Sequence, residues 1–275
     1  MAEAIWQRVA AEAAAFAARM ARPATLGLVG GSDDEAAASY ARQIERQFAR
    51  RGLGVAAHTS DGPHLVGLVA ELSAEQTIDG ILLLTPLPPG ADPRRAALAI
   101  DPDKDVDGQH PASLGRLGQR RGQFAPATAL GGLRLLEHYQ VPLRGRRVTV
   151  VGRSPVVGLP LALLLLDQDA TVSICHSRTA DLAAVTREAE VLCVAVGRPA
   201  MIGPEHVQPG AVVLDFGTHP LPEGGMQGDV QTARVAEVAA AITPVPGGTG
   251  PTTVAVLAEQ TLRAALARHG PSGGA

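Results

Sequence analysis

The feature of this sequence that most constrains its fold is an alternation of short apolar runs with longer stretches rich in alanine and leucine. The apolar runs predict β-strands at 24–30, 53–58, 79–84, 146–152, 170–175, 190–196 and 211–216. The other stretches predict helices at 2–19, 34–51, 64–74, 158–167, 180–188 and 252–268. Apolar strands separated by helices are typical of a parallel sheet that is buried on both faces. The sequence therefore predicts an α/β fold.

The domain organisation follows from length and from a break in this alternation. A chain of 275 residues is typical of two domains, because one domain usually holds roughly 100–200 residues. The region from 101 to 128 is rich in turn-forming residues, and the alternation restarts clearly after it. We therefore predict a domain boundary near residue 124.

Composition and charge exclude several classes of function. The formal net charge is −3, so no basic field would attract nucleic acid or an acidic membrane. No apolar run approaches the roughly 20 residues that span a bilayer, and Glu3, Arg8 and Glu12 interrupt any signal-peptide core. Cys175 and Cys193 lie in apolar segments and are expected to be buried thiols. We expect a cytoplasmic protein whose partner is a small molecule, with no nucleic acid and no membrane.

A strand that runs into a glycine turn, VTVVGRSPVVGLP, indicates a nucleotide site. Gly152 ends the strand and Gly158 begins the next helix. A glycine at the strand end allows a sharp turn, so that a pyrophosphate can meet the helix N-terminus. Ser154 stands where a strict G-x-G-x-x-G motif has its second glycine, so an ordinary strand–turn–helix remains an alternative.

The end of the following strand bears on the choice between NAD and NADP. An NAD site usually places an acidic residue there, about 20 residues after the first glycine. The residues at this position are His176, Ser177 and Arg178, without an acid. A hydroxyl and a guanidinium suit a 2′-phosphate, which Arg153 could also contact. The sequence therefore favours NADP, the alternative being ordinary polar residues at a strand end.

Two loops have unusual compositions. DPDKDVDG, at 101–108, has four acidic residues but lacks the length and the closing glutamate of a calcium-binding loop. It predicts a turn in which Asp side chains bond to the backbone, and we predict no metal. TPVPGGTGPTT, at 243–253, is a Pro- and Gly-rich loop that permits close approach to a planar ligand, or is only a linker.

Together these segments resemble the bifunctional methylenetetrahydrofolate dehydrogenase/cyclohydrolase family. The matching segments are DGILLLTPLP, DPDKDVDGQHP, GRRVTVVGRSPVVGLP, ATVSICHSRT, GRPAMI, PGAVVLDFG, GDV and TPVPGGTGPTT. The resemblance implies two α/β domains flanking a cleft. One, residues 1–124 with 252–275, would bind a tetrahydrofolate substrate of one-carbon metabolism. The other, residues 125–251, would be a Rossmann-type NADP-binding domain, and the protein would be a homodimer.

The resemblance and the glycine turn together imply a set of site residues. The predicted cofactor-binding residues are Gly152, Arg153, Ser154, Gly158, Ser177, Arg178 and Thr218. The predicted substrate-binding residues are Tyr40, Ile44, Leu83, Leu84, Thr85, Asp107, Pro246, Gly247, Gly248, Gly250, Pro251, Thr252 and Thr253. As catalytic residues, Tyr40 would stack against the folate and Asp107 would bond to the pterin edge.

The chain departs from the family pattern at two positions that bear on the chemistry. The family has a catalytic Lys four residues after the Tyr, on the same helical face, whereas Ile44 follows Tyr40 here. The Gln that holds this Lys is replaced by Leu84, and the only lysine of the chain is Lys104. Losing both partners together leaves no polar group unpaired, which is typical of an altered and working pocket.

Smaller departures affect other segments. Ala127 and Ala129 occur where the family has P-C-T-P, and Thr218–His219 occurs where it usually has Ile-Asn. The sequence leaves open whether His110 or His219 takes part in proton transfer, a structural or solvated role being the alternative.

These departures predict unequal effects on the two reactions of the family. Hydride transfer from the bridging carbon of the folate moves no proton and depends mainly on alignment. Hydrolysis of the methenyl product needs a positioned polar group to activate water. We therefore predict an NADP-dependent enzyme that oxidises 5,10-methylenetetrahydrofolate to 5,10-methenyltetrahydrofolate, with cyclohydrolase activity weak or absent.

Two alternatives stay open at this point. The first is a repurposed family member that acts on a different one-carbon or heterocyclic substrate, in secondary metabolism for example. The second is a non-catalytic subunit that binds folate or NADP. Cofactor binding without turnover would distinguish the second alternative from both enzymes.

Overall fold

A computed structural model describes residues 1–31, 35–222 and 224–270 of the chain. The predicted domains also include residues 32–34, 223 and 271–275, which lie outside the described residues. The chain divides into two compact units, one of residues 2–127 with 254–275, the other of residues 128–253 together with Met1. We name them the three-stranded unit and the five-stranded unit after their main sheets.

The three-stranded unit contains a parallel sheet in the order β2-β1-β3. Its strands are β1 (Thr25–Gly30), β2 (Gly54–Thr59) and β3 (Gly80–Leu83). Its helices are α1 (Ala2–Met20), α2 (Glu35–Ala49), α3 (Leu65–Ala74), α4 (Pro93–Leu98) and α5 (Pro111–Gly118). Strand β1 is central and is buried from Leu26 to Gly30, because it has a neighbour along each edge. Apolar side chains of α3, among them Leu65 and Val69, pack with Val29 and Ile81 into one core.

The five-stranded unit contains a parallel sheet in the order β10-β7-β6-β4-β5. Its strands are β4 (Arg147–Val151), β5 (Thr171–Cys175), β6 (Val191–Val194), β7 (Val212–Asp215) and β10 (Ala241–Ile242). A small antiparallel hairpin is formed by β8 (His219–Pro220) and β9 (Met226–Gln227). The helices are α6 (Ala127–His138), α7 (Gly158–Asp167), α8 (Leu182–Thr186), a 3₁₀ turn (Pro204–His206) and α9 (Thr232–Val235). The last helix, α10 (Thr249–His269), begins in this unit and belongs to the three-stranded unit from Val254 on.

The structure confirms the predicted α/β class and the parallel strands. It also confirms that Cys175 and Cys193 are buried and free. Within the described residues, no helix is both long and apolar enough to cross a membrane.

Three predictions about local structure were wrong. No helix was predicted in the turn-rich region 101–128, but it contains α5, which His110 caps by accepting a hydrogen bond from the Ala112 N–H at 2.9 Å. Strand β5 is not buried on both faces, since it lies at the edge of its sheet and Ile174 is 39% exposed. The last helix starts at Thr249 rather than at 252, and Pro251 lies in its first turn, where a missing N–H costs no helical hydrogen bond.

Candidate active site

The glycine turn after β4 has a geometry that requires both of its glycines. Gly152 has a φ of +123°, and a Cβ there would collide with the carbonyl oxygen of Ala195. A Cβ at Gly158 would collide with the carbonyl oxygen of Gly152. The start of α7 therefore approaches the end of β4 closely, as a dinucleotide fold requires.

Ser154, which replaces the second glycine of the strict motif, has a local structural role. Its Oγ accepts hydrogen bonds from the N–H groups of Val157 at 3.1 Å and Gly158 at 3.4 Å. The hydroxyl therefore stabilises the turn that leads into α7, whose N-cap residue is Val157. This explains why a serine is compatible with the turn.

A cavity of about 360 Å³ lies at the carboxyl ends of three strands of the five-stranded unit. Its lining consists of Ser154 and Val157 after β4, residues 195–197 after β6, residues 216–219 after β7, and Asp229. Ligands of open parallel sheets bind at the carboxyl ends of the strands. Position, size and the glycine turn fit part of a dinucleotide.

Asp229 joins two sides of this cavity. Its carboxylate accepts hydrogen bonds from the N–H groups of Val196, Gly197 and Arg198 at 2.7, 3.0 and 2.8 Å. Its Oδ1 also lies 2.8 Å from Nε2 of His219. One fully buried side chain therefore fixes both the loop after β6 and the histidine after β7.

Asp215, at the end of β7, holds the backbone of Asp229 in place by a hydrogen bond. Its carboxylate accepts from the N–H groups of Gly217, Asp229 and Val230 at 2.8, 3.0 and 2.9 Å. Burial raises its pKa, and the nearby charge of Asp229 raises it further, while the three hydrogen bonds lower it. A Cβ at Gly228 would collide with this carboxylate, so the close approach depends on glycine.

The predicted contacts to a 2′-phosphate occupy a different part of the unit. Arg153 follows β4 and Ser177 and Arg178 follow β5, and all three are exposed. The strands are neighbours, with Val151 paired to Cys175. None of the three lines the cavity, whereas the predicted residues Ser154 and Thr218 do.

In the three-stranded unit, Tyr40 and Asp107 interact electrostatically. Burial raises the pKa of the Tyr40 hydroxyl, and the negative charge of Asp107 raises it further. Burial also raises the pKa of Asp107 to about 7, although its Oδ1 accepts a hydrogen bond from the Ala127 N–H at 2.8 Å. The two predicted catalytic residues therefore share one poorly solvated environment.

The positions of the missing Lys and Gln are apolar and buried. Ile44, on α2, is 0% exposed and Leu84, after β3, is 8% exposed. A Cβ added at Gly30 would lie 3.3 Å from the Leu84 side chain, so Leu84 covers the end of β1. Leu83 is also buried, whereas Thr85 is exposed.

Lys104 and Gln109, the lysine and a glutamine of this unit, bond to other backbone groups. Nζ of Lys104 donates to the carbonyl oxygens of Leu72 at 3.1 Å and Glu75 at 2.6 Å, at the end of α3. The side-chain amide of Gln109 bonds on both sides to the backbone of Leu83, at 2.9 and 3.0 Å. Both side chains therefore have structural partners.

The acidic loop 101–108 has the predicted backbone bonds. Asp101 accepts from the Asp103 N–H at 2.9 Å, and Asp105 accepts from the N–H groups of Gln109 and His110 at 2.8 and 2.9 Å. Among the described residues, no group of three or more His, Cys, Asp or Glu could hold a metal ion.

The predicted substrate loop belongs to the five-stranded unit and is only partly a loop. Residues 246–248 are irregular, and Gly247 has a φ of +102°. From Thr249 on, the predicted residues form the first turn of α10, where Gly250 and Pro251 are exposed and Thr252 and Thr253 are buried. The hydroxyl of Thr249 donates to the Asp215 carbonyl oxygen at 3.2 Å, which ties this turn to β7.

Sequence reasoning missed several residues of the cavity. Phe216, Asp229 and residues 195–197 line it and were not among the predicted contacts. The strand-end rule would have found 195–197 and Phe216, since they directly follow β6 and β7. Nothing in the local sequence distinguishes Asp229, apart from the motif GDV in which it stands.

The parallel sheet, the glycine turn and the strand-end cavity define the five-stranded unit as a Rossmann-type dinucleotide-binding domain, joined in one chain to a second α/β unit. The chain belongs to the tetrahydrofolate dehydrogenase/cyclohydrolase family. The profile of the family's NAD(P)-binding domain matches residues 126–269, and that of its catalytic domain matches residues 1–107. The resemblance predicted from the motifs is thereby confirmed.

Individual relatives are similar over nearly the full chain. The bifunctional protein FolD of Chloroflexus aurantiacus is 48% identical over 277 residues, covering 98% of this chain and 97% of the relative. The crystal structure of the bifunctional FolD enzyme from Campylobacter jejuni is 32% identical, with a TM-score of 0.92 and coverage of 97% and 96%. A FolD enzyme from Trypanosoma brucei, complexed with NADP cofactor and inhibitor, is 32% identical, with a TM-score of 0.92 and coverage of 98% and 96%.

Proposed function

We propose that this chain oxidises 5,10-methylenetetrahydrofolate to 5,10-methenyltetrahydrofolate with NADP⁺, and that its cyclohydrolase activity is weak or absent. The five-stranded unit binds NADP and the three-stranded unit binds the folate. Family membership supports the first reaction. The observation that carries the loss of the second is the burial of Ile44 and Leu84 at the positions of the family's Lys and Gln.

The hydride step requires binding and alignment from the protein. Bound NADP⁺ supplies the hydride acceptor. The glycine turn at Gly152 and the cavity lined by Ser154 and Thr218 hold the cofactor, with Gly158 at the start of α7. Alignment of two bound reactants can contribute roughly 7–11 kcal/mol to lowering the barrier, without any proton transfer. The apolar pair is therefore compatible with this step.

Recognition of the folate is assigned to Tyr40 and Asp107. Within the described residues, Oδ1 of Asp107 accepts a hydrogen bond from Ala127, and Oδ2 has no donor from the protein. An ionised Asp107 can therefore accept hydrogen bonds from N–H groups of the pterin edge. The aromatic ring of Tyr40 offers a face for stacking. The residues 246–253 complete the proposed contacts to the substrate.

The hydrolytic step lacks its polar group. Water attack on the methenyl carbon needs a side chain that positions the water and accepts a proton. Such acid–base groups typically raise a reaction rate by about 10²–10⁴-fold. Ile44 and Leu84 have no polar side-chain atoms. Lys104 and Gln109 already donate to backbone carbonyls, so neither supplies the missing function.

Two activity measurements test this proposal. With methylenetetrahydrofolate and NADP⁺, we expect the absorbance of NADPH to rise with the methenyl product accumulating in equal amount. With methenyltetrahydrofolate alone, we expect decay no faster than the buffer reaction. Absence of hydride transfer at saturating ligands would reject the proposed oxidation, and enzyme-dependent decay would reject the proposed loss of hydrolysis.

The apolar pair also favours a second candidate, a related substrate with a less polar heterocycle. In that case NADP binds and methylenetetrahydrofolate is not oxidised. Binding of both NADP and folate without turnover instead supports a non-catalytic subunit. Calorimetry with each ligand, run beside the activity assay, separates these outcomes.

The proposed assembly is a homodimer in the cytoplasm. Strand β5 supports a dimer, because it is an edge strand whose residue Ile174 is 39% exposed, and open edges pair readily with a second copy. Light scattering of the wild type and of Ile174→Lys tests this, the variant being expected as a monomer. The free thiols of Cys175 and Cys193 are compatible with a reducing compartment.

A further inference from the structure

His219 is the residue of the cofactor cavity whose chemistry departs most from the family pattern. It stands where the resemblance gives an Asn, directly after Thr218. Its side chain is 22% exposed and lines the cavity. A ring nitrogen of His219 lies 2.8 Å from Oδ1 of the fully buried Asp229. The ring is therefore fixed in place while part of it faces the cavity.

The hydrogen bonds of Asp229 determine which nitrogen of the ring has the proton. Oδ2 accepts from the N–H groups of Val196 and Gly197, and Oδ1 accepts from the N–H of Arg198. Both oxygens act as acceptors, so Nε2 of His219 must be the donor toward Oδ1. In the neutral imidazole the other nitrogen, Nδ1, is then an acceptor.

Nδ1 has no hydrogen-bond partner among the protein groups in the described ranges. Two other polar side chains that line the cavity, those of Ser154 and Asp229, already accept hydrogen bonds from protein groups. The Ser154 hydroxyl already accepts from two N–H groups at the start of α7. The carboxylate of Asp229 already faces three N–H groups and the imidazole. Nδ1 of His219 is therefore a hydrogen-bond acceptor that the ring's contact with Asp229 fixes in position.

The place of His219 in the sheet indicates which part of a dinucleotide it meets. The candidate contacts to the 2′-phosphate, Arg153, Ser177 and Arg178, follow β4 and β5. His219 follows β7, which β6 and β4 separate from β5 in the sheet. A dinucleotide extends across the carboxyl ends of such strands, with its two halves on opposite sides of the turn. His219 therefore lies on the side of the nicotinamide half.

We propose that Nδ1 of His219 accepts a hydrogen bond from the carboxamide N–H of the nicotinamide ring, and that this chain reads the carboxamide with a side chain. The inference rests on the proposed function, because it requires NADP in this cavity. It makes His219 a cofactor-binding residue that limits rotation of the ring, with Asp229 as the residue that fixes its tautomer.

A comparison of two nucleotides tests the contact by binding, without turnover. The 3-acetylpyridine analogue of NADP⁺ has a methyl group in place of the carboxamide NH₂ and lacks the donor. Calorimetry gives the dissociation constants of both nucleotides for the wild type, for His219→Phe and for His219→Asn. His138→Phe, the same change at an exposed position of α6, is the matched control.

The expected result is a loss of discrimination confined to one variant. The preference for NADP⁺ over the analogue should fall by roughly fivefold in His219→Phe, the size typical of one neutral hydrogen bond. His219→Asn should keep most of the preference, because its amide can donate to Asp229 and still offer an acceptor. The control variant should keep all of it.

Other outcomes would overturn the inference. If His219→Phe weakens both nucleotides by the same factor, His219 has only a structural role. If the wild type binds both nucleotides equally, the carboxamide contact is absent and the NADP site stands. If the wild type binds neither, both the cofactor proposal and this inference fail.

Discussion

Burial and, to a smaller extent, the carboxylate of Asp107 raise the pKa of the Tyr40 hydroxyl, while burial raises the pKa of Asp107 itself to about 7. Both residues belong to the same unit, and Asp107 is held by the N–H of Ala127. An acidic group that ionises near neutral pH is a common property of active sites, because burial is tolerated there for function. The pair is therefore the part of the proposed folate site that pH experiments can address.

The first prediction concerns the stability of the Asp107→Asn variant. The pKa of Asp107 rises from 3.8 in the unfolded chain to about 7 in the folded one, so between these values the folded state binds more protons. The free energy of unfolding contributed by Asp107 therefore falls as pH rises through this window. The Asp107→Asn variant has no carboxyl group here, so its free energy of unfolding does not fall in this way. The difference in free energy of unfolding, variant minus wild type, should therefore increase from pH 4 to pH 7 and then level off.

Urea denaturation at several pH values measures this difference. Asp103→Asn, at an exposed position of the same loop, is the control and should differ from wild type by a constant amount. A constant difference for Asp107→Asn as well would mean that Asp107 is solvated in the folded protein.

The second prediction restores the family's polar pair. In Ile44→Lys with Leu84→Gln, hydrolysis of the methenyl product should rise by roughly 10²-fold, the lower end of what positioned acid–base groups contribute. Ile44→Lys alone should lose about 1–3 kcal/mol of stability, because its buried amine has no partner. Decay of methenyltetrahydrofolate measures the hydrolysis, and NADPH formation measures the hydride step in the same preparation.

An apolar variant controls for repacking of this pocket. Ile44→Leu with Leu84→Met changes shape without adding a polar atom, and it should hydrolyse no faster than wild type. Equal hydrolysis rates in the polar and apolar double variants would show that the missing step depends on more than these two positions.

How far the sequence predicts this protein depends on whether a feature is local. The strands β1, β4 and β7 and the helix α7 were predicted to within two residues, because their apolar periodicity is a property of short segments. The apolar pair Ile44 and Leu84 was also predictable by comparison with the family motifs.

Features that depend on distant partners were not predictable. Asp229 meets His219 across the β8–β9 hairpin, and its three backbone donors come from another loop. Helix α5 is short and begins with a histidine cap, which is a weak signal in sequence. In such cases the tertiary structure, rather than the local pattern, determines the role of the residue.

The third prediction compares Gly152, in the glycine turn, with Gly145, which precedes β4, and so separates steric collision from backbone strain. Gly152 and Gly145 both have positive φ values, +123° and +71°, but only a Cβ at Gly152 would collide with another residue. Gly145→Ala should cost about 1–2 kcal/mol through its left-handed backbone and leave NADP affinity unchanged. Gly152→Ala should cost more and also weaken NADP binding, because the end of β4 must move away from Ala195.

Thermal unfolding and NADP titration of the two variants test this difference. Similar losses of stability, with NADP affinity retained in both, would contradict the assignment of the Gly152 turn to the cofactor.

The fourth prediction concerns Lys104, the only lysine of the chain. In Lys104→Met the carbonyl oxygens of Leu72 and Glu75 lose their donor, and we expect a loss of about 1–3 kcal/mol in the free energy of unfolding. Arg50→Met removes a positive charge at an exposed site and should stay within about 0.5 kcal/mol of wild type. Because Lys104 holds the end of α3, the rate of NADPH formation per folded molecule should not change. A variant of wild-type stability with reduced turnover would instead place the amine of Lys104 in the chemistry.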